Sequence, residues 1–276
     1  MNKRIFKPLQ VGKFFLKRLI CYVFFIYAAL LAFAFVRSNK MIFPVPPASY
    51  EDGPDIIKIK TEDGAIISAM YLINPDAEYT VLYSHGNYVD LGRLAPFLQE
   101  YNSRGFSIIA YDYHGYGTSQ GQPTEKNAYR DIEAVFKYIT EKAGISPDKL
   151  ILHGRSVGTG PAVYLATKRN IAGLILQSSF VTAFRVLTRV TLLPFDKFEN
   201  IDRIDKINCP VLFIHGQNDS TIPIWHSKKL YEKAKEPKLS CWLEAATHDD
   251  IPPAGEKKYW QAIFDFTELI ENKIAI

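Results

Sequence analysis

The chain has 276 residues, 47% hydrophobic and 22% charged, a balance that excludes wholesale disorder and fibrous repeats. Its net charge of +4 is unevenly placed: residues 1–40 hold eight Lys/Arg and no Asp/Glu, so residues 41–276 carry 25 basic against 29 acidic side chains, a net −4. A mildly acidic body has no general attraction for phosphate backbones and argues against a nucleic-acid partner, while three cysteines without CxxC or Cys/His spacing argue against a disulfide framework or a zinc site.

The run 19–36 (LICYVFFIYAALLAFAFV) carries no charge. As a helix it is about 27 Å long, enough to cross the hydrocarbon core of a bilayer. Lys3, Arg4, Lys7, Lys13, Lys17 and Arg18 precede it, and Arg37 and Lys40 follow. The positive-inside rule then predicts a cytoplasmic N-terminus, with everything after the span on the translocated side. Ala32-Phe33-Ala34 resembles a signal-peptidase site, so a cleaved signal peptide and a secreted or periplasmic product stand as the alternative. The long basic region and the length of the run favour a retained anchor over residues 1–37. Residues 38–54 contain Pro44, Pro46, Pro47 and Pro54 and are expected to form a semi-rigid, extended spacer. Residues 55–276 form the folded domain.

Within that domain, 55–61 and 65–73 flank Asp63-Gly64 and predict an antiparallel hairpin. Strands are then expected at 79–84, 106–111, 149–153, 171–177, 209–215 and 238–244. Helices are expected at 91–104, 125–143, 156–168, after Pro223, and at 254–272. Short apolar strands alternating with helices predict βαβ units: an α/β fold with a mostly parallel sheet covered on both faces and antiparallel edge strands from the leading hairpin.

Sites in such a sheet collect at the carboxyl ends of the strands. The strand ending at His153 runs into Gly154-Arg155-Ser156-Val157-Gly158 and then a helix. That is a G-x-S-x-G nucleophile elbow in its strand–turn–helix setting. The turn is sharp and its flanking backbone close, which leaves Gly154 and Gly158 no room for a Cβ. A hydroxyl nucleophile needs a base and an acid to orient the base. Asp219 follows the strand ending at His215, and His248 follows the last strand. The order Ser156, Asp219, His248 is that expected of α/β hydrolases. His85 and His114 precede the elbow; His85 is expected to shape the oxyanion loop. His153 and His215 read as satisfied histidines at strand ends, and His226 as exposed. Asp249 and Asp250 adjoin His248 too closely to orient it, and Asp196, Asp202 and Asp205 read as solvated. The oxyanion donors are expected to be the backbone N–H groups of Val157 and Asn87.

The stretches 81–121 (VLYSHGNYVDLGR…YDYHGYGTSQG), GRSVGTGP, HGQNDSTIP and THDD, in this order, resemble the bud-emergence-protein-46-like branch of α/β hydrolases, which includes α/β-hydrolase domain-containing proteins 13 and 17. The similarity spans about residues 55–273. It implies an α/β-hydrolase fold and a serine hydrolase held at a membrane, with the family's triad on Ser156, Asp219 and His248. The domain-17 type implies depalmitoylation, the cleavage of thioesters of S-acylated cysteine. Three departures are visible. A transmembrane helix replaces a Cys-rich acylated N-terminus, Arg155 replaces Gln before the nucleophile, and Thr247 replaces Gly before the histidine.

The expectation is therefore a membrane-anchored serine hydrolase acting on carboxylic esters or thioesters of acylated, lipid-like substrates, without metal or organic cofactor. A serine peptidase and a non-catalytic, membrane-tethered scaffold are the alternatives. Residues 178–208 supply Phe180, Phe184, Val186, Leu187, Leu192, Leu193, Phe195 and Phe198. They are expected to form a short cap over acyl chain or membrane, or else to pack on the sheet. Cys209 and Cys241 lie in strands expected to be adjacent, so that a translocated domain could pair them.

Overall fold

The computed structural model describes residues 8–251 and 256–274. Lys3, Arg4 and Lys7 lie outside the described residues, as does 252–255, where the sequence predicts the start of the last helix. The chain divides into two compact units, residues 1–41 and 42–276.

Among the described residues, the first unit is formed by one helix, α1 (Pro8–Ile42). Its stretch Phe14–Ile42 is long and apolar enough to cross a membrane, as an anchor or a signal sequence. Phe24, Phe25, Ile26 and Phe35 are all exposed along it, so no polar face interrupts the apolar surface.

In the second unit, among the described residues, eight strands join in one sheet: β1 (Ile56–Lys60), β2 (Ile66–Leu72), β3 (Thr80–Ser84), β4 (Ser107–Tyr111), β5 (Leu150–Arg155), β6 (Gly173–Gln177), β7 (Val211–Gly216) and β8 (Lys238–Leu243). Their order is β1-β2-β4-β3-β5-β6-β7-β8. β1 and β2 form the predicted antiparallel hairpin, with Ile57 opposite Ala69. Its turn needs Gly64, whose φ is +89°, and is closed by Thr61 N donating to Ala65 O at 2.9 Å. β2 is antiparallel to β4, and from β4 to β8 every neighbouring pair is parallel.

The parallel strands are apolar on both faces because both faces are covered. On one side α2 (Leu91–Ser103) and α7 (Glu256–Ile274) pack Leu94, Leu98, Tyr101, Trp260 and Phe266 against Val81, Ile108, Ile151 and Ile175. On the other, α3 (Glu125–Lys137), α4 (Thr159–Ala166) and α6 (Trp225–Lys233) pack Ile132, Val163 and Leu230 against Leu82, Ile109, Leu152 and Phe213. Neighbouring residues of one strand, Val81 and Leu82, thus serve opposite layers. Two predicted helices are shorter than expected. α3 passes into a single π turn at Tyr138–Lys142, and residues 156–158 form a 3-10 turn before α4 begins.

The Pro-rich segment differs from the expected spacer. α1 runs on to Ile42, and residues 43–50 lie against the domain as a strap. Phe43 is buried against Tyr113 and Phe198, Tyr116 donates its hydroxyl proton to Pro44 O at 3.0 Å, and Tyr50 donates to Asp112 Oδ2 at 2.6 Å. Proline density favours extended backbone, but the buried Phe43 and the half-buried Tyr50 hold this extended segment onto a surface. The stretch 178–208 divides in two. Phe180 and Phe198 are buried in the core, whereas Leu187, Val190 and Leu192 are exposed around α5 (Ala183–Thr188). β7 and β8 are adjacent, but in their register Val211 faces Lys238 and Ile214 faces Cys241. Cys209 precedes Val211, so the two cysteines stand about five residues apart along the ladder. That is on the order of 16 Å at strand rise, too far for a disulfide, and no disulfide joins them.

Candidate active site

The carboxyl ends of β3, β5, β7 and β8 converge on one place. β5 delivers Arg155, and Ser156 turns the chain with φ +53°. The left-handed region is rare for a residue with a Cβ and costs about 1–3 kcal/mol. It throws the side chain out of the sheet at the head of α4. The flanking glycines are sterically required. A Cβ on Gly158 would lie 2.0 Å from Ser84 O, and one on Gly154 would lie 2.5 Å from Gly158 O. Close backbone approach, as the sequence reading expected, explains both.

Asp219 and His248 are brought to Ser156 by a second close approach. A Cβ on Gly216 would lie 2.3 Å from Ala246 O. With no side chain there, the loops after β7 and β8 zip together through Gln217 N to Leu243 O at 2.8 Å and Asn218 N to Ala246 O at 3.0 Å. His248 Nδ1 then lies 2.7 Å from Asp219 Oδ2, and His248 Nε2 lies 3.2 Å from Ser156 Oγ. A carboxylate only accepts, so Nδ1 carries the proton and Nε2 is left to accept from the Ser156 hydroxyl. Ser156 and Asp219 are buried and His248 is half-buried.

Burial by itself would raise the Asp219 carboxyl. Hydrogen bonds from His215 and His248 and from the Ile222 N–H outweigh it and hold the group well below the usual carboxylate range. Ile222 N donates to Asp219 Oδ1 at 2.7 Å, and His215 Nε2 lies 3.2 Å from Oδ2. His215 Nε2 is also 2.8 Å from Ile222 O. A carbonyl oxygen only accepts, so Nε2 is the protonated nitrogen and Nδ1 accepts from Ser227 Oγ at 2.6 Å. His215 is thus the satisfied histidine expected, and it supports Asp219 directly.

The β3 loop completes the group. A Cβ on Gly86 would lie 3.4 Å from Ser156 Cβ, so the backbone of 85–87 passes beside Ser156, on the side where Asn87 and Val157 N–H groups are expected to act. Asn87 Oδ1 is buried without a hydrogen-bond partner among the described residues, and Asp90 caps α2, accepting from Arg93 N at 3.2 Å. His85 is buried in this loop with Nδ1 2.7 Å from Gly86 O.

Other candidates lie elsewhere. His153 is buried between Tyr101 and Gln177. His114 is bonded to Asp131. His226 is buried rather than exposed, stacked on Trp225 and accepting from Val181 N. Asp249 is exposed, Asp250 accepts from Thr247 N, and Asp196 accepts from the Phe184 N–H at the start of α5 and from the adjacent Lys197 N–H. Sequence reasoning missed one contact in the loop bearing His248: Arg155 Nη2 donates to His248 O at 3.2 Å. Among the described residues no three His, Cys, Asp or Glu side chains gather as a metal site requires.

Residues 75–200 match the family model described as serine aminopeptidase, S33. The chain is 41% identical over 211 residues to α/β-hydrolase domain-containing protein 17B of Homo sapiens, covering 75% of this chain and 73% of that one. It is 40% identical over 205 residues to protein 17C of Xenopus tropicalis, covering 72% and 66%. The chain belongs to the α/β-hydrolase family. Among solved structures, an esterase of Pyrococcus furiosus superposes with a TM-score of 0.67 at 19% identity, over 82% of this chain and 97% of that one. An esterase of Exiguobacterium antarcticum gives 0.60 at 16%, over 76% and 98%. At such identities the likeness speaks for the α/β-hydrolase fold, with its mostly parallel sheet and leading hairpin. Membership at 40% identity supports hydrolase chemistry.

Proposed function

We propose that this α/β hydrolase is a membrane-anchored serine hydrolase that cleaves carboxylic esters or thioesters of acylated, lipid-like substrates. The observation that carries the reading is the unbroken run of hydrogen bonds Asp219–His248–Ser156, beginning at a serine held at positive φ. Ser156 attacks the acyl carbonyl while His248 Nε2 takes its proton. Asp219 keeps the imidazole in the Nδ1–H form and stabilises the imidazolium. The N–H groups of Val157 and Asn87 receive the developing oxyanion. The imidazolium protonates the departing alkoxide or thiolate as the tetrahedral intermediate collapses to the acyl-enzyme. Water, deprotonated by the same histidine, then releases the acid and restores Ser156. In this reading α1 is a retained anchor with the N-terminus cytoplasmic and the domain translocated, followed by the segment 38–54 and the domain 55–276, with 178–208 as a short cap.

The acyl preference rests on two features: the apolar helix and the exposed Leu187, Val190 and Leu192. A second reading, a serine peptidase, is favoured by the description of the family model over 75–200. The two differ in leaving group, not in the Ser156 chemistry.

The test is labelling of the full chain by a fluorophosphonate, beside Ser156→Ala and His248→Ala variants. Label on the wild type and on neither variant is expected. Equal labelling of Ser156→Ala, or none on the folded wild type, returns the chain to the scaffold reading. Acyl esters, acyl thioesters and aminoacyl amides run in parallel separate esterase, thioesterase and peptidase. Protease access in sealed vesicles decides the topology.

A further inference from the structure

The loop 85–90, which the proposed mechanism asks to supply an oxyanion N–H, is held mainly by groups that also grip the strap 43–50. Tyr113 donates its hydroxyl proton to His85 O at 2.7 Å, and the same ring packs on Phe43 of the strap. Asp112 Oδ1 accepts from Leu91 N at 3.2 Å and lies 3.3 Å from His85 Nε2; its Oδ2 accepts from Tyr50 of the strap at 2.6 Å. Asp90, which caps α2, accepts from Ser49 N at 2.6 Å and from the Ser49 hydroxyl. The His85 ring lies 5.5 Å from Tyr116, whose hydroxyl bonds to Pro44 O. Each of these four holding groups therefore also touches residues 43–50, whereas the Arg93 Nη1 bond to Tyr88 O at 3.1 Å is independent of the strap.

The surroundings are shaped to admit the strap. A Cβ on Gly92 would lie 2.5 Å from Ser49 Oγ, and one on Gly117 would lie 2.0 Å from Asp112 Oδ2 and 2.7 Å from Tyr50 Oη. Gly117 also has φ +48°. Side chains at either position would push Ser49 or Tyr50 away. The Tyr50 hydroxyl accepts from Thr118 N at 3.3 Å while donating to Asp112. Burial first, and then the Asp112 carboxylate, push this phenol well above the usual tyrosine range, so it remains a donor.

We infer that the strap 43–50, acting through Tyr50 and Asp112, is a positioning element for the loop 85–90, and that Tyr50 is a positioning residue for the hydrolytic reaction. The inference rests on the proposed serine-hydrolase reading for its catalytic consequence, but not for its mechanical one. Loss of the Tyr50 hydroxyl frees Asp112 on one side and lets the loop beside Ser156 widen its range of positions. Oxyanion donors act only when preorganised, so the transition state suffers and substrate binding does not.

The experiment compares full-length wild type with Tyr50→Phe in detergent, by amide hydrogen exchange and by steady-state hydrolysis of a short acyl ester. Glu51→Ala, an exposed neighbour on the same segment, is the control. Faster exchange at residues 85–92 is expected in Tyr50→Phe and not in Glu51→Ala, with kcat about tenfold lower, KM within twofold and an unchanged pH profile. Should kcat stay unchanged, or KM rise with kcat intact, the positioning role is overturned. Unchanged exchange at 85–92 overturns the mechanical link. If the wild type itself neither hydrolyses ester nor takes fluorophosphonate, the functional reading fails, and the exchange comparison still decides whether the strap holds the loop. A Tyr50→Phe chain that does not fold is replaced by Ser49→Ala, which removes only the hydroxyl bond to Asp90 and carries the same expectations at smaller size.

Discussion

At the elbow 154–158 the backbone itself is the constraint: Gly154 and Gly158 sit where a methyl group would run into Gly158 O and Ser84 O. At the strap 43–50 the constraint is made of side chains, Phe43, Ser49 and Tyr50, reaching residues 41 to 155 positions away along the chain. Both regions hold the same small space around Ser156, one by excluded volume and the other by directed hydrogen bonds. Excluded volume tolerates no substitution, whereas a hydrogen-bonded strap can loosen by degrees. Damage at the elbow should therefore be abrupt and damage at the strap graded.

Gly158→Ala is the sharpest way to break that contrast, and its effect should be the largest. The added methyl meets the main-chain oxygens of Ser84, at the end of β3, and of His85, which cannot swing aside as a side chain would. Either β3 or the elbow must shift, at a cost of about 1–3 kcal/mol, and Ser156 moves with it. Loss of fluorophosphonate labelling together with a lowered melting temperature is expected. Full labelling at wild-type stability would show that the elbow is not held by backbone contact.

The same contrast explains what could be read in advance. Excluded volume writes glycines into the sequence at fixed spacing, so the elbow and its strand–turn–helix setting are legible in residues 150–166. The chain order of Ser156, Asp219 and His248 is legible because each follows a different apolar run. The sheet follows from alternation of apolar runs with amphipathic ones. The strap is not legible as one, because Phe43, Ser49 and Tyr50 carry no periodicity and their partners Tyr113, Asp90 and Asp112 are distant in sequence. The burial of His226 is hidden in the sequence for a related reason. Its position on α6 beside charged residues suggests solvent, while the contact that buries it comes from Val181, 45 positions earlier.

Beneath the elbow, side-chain bonding takes over again at His153. Tyr101 Oη lies 2.8 Å from Nδ1 and Gln177 Oε1 lies 3.1 Å from Nε2, so the neutral ring satisfies both neighbours. Burial pushes its pKa down to about 3, against a smaller upward pull from Gln177 and with a further push from Arg155. The unfolded chain has a histidine near 6.5, so between these values the unfolded state binds the extra proton. Stability from this group is complete above about pH 6.5 and is lost as the pH falls toward 3, by at most about 1.4 kcal/mol per pH unit. Urea unfolding at pH 7, 6, 5 and 4 should give a shallower decline for His153→Gln than for the wild type. Parallel declines would mean that the ring takes up its proton at the same pH in the folded and the unfolded chain.

The smallest expected effect concerns how the His248 loop is held from the elbow side. Arg155 offers two contacts, a hydrogen bond from Nη2 to His248 O at 3.2 Å and an approach to Asp249 at 3.8 Å. The Asp249 side chain is 90% exposed, whereas Arg155 is only 19% exposed. An ion pair open to solvent on one side contributes about 0–1 kcal/mol and fades in salt. A charged donor on a partly buried carbonyl contributes about 1.5–3 kcal/mol. The hydrogen bond should therefore dominate, and the two substitutions separate it from the ion pair. Asp249→Asn is expected to leave kcat and its salt dependence unchanged. Arg155→Gln is expected to lower kcat a few-fold, because Gln is too short to keep both the backbone position of Arg155 and the reach to His248 O, and His248 then spends less time within 3.2 Å of Ser156 Oγ. If Asp249→Asn instead reproduced the Arg155→Gln loss, the pair rather than the carbonyl bond would be what steadies the loop. Directed side-chain contacts would then extend to the solvent edge of the site.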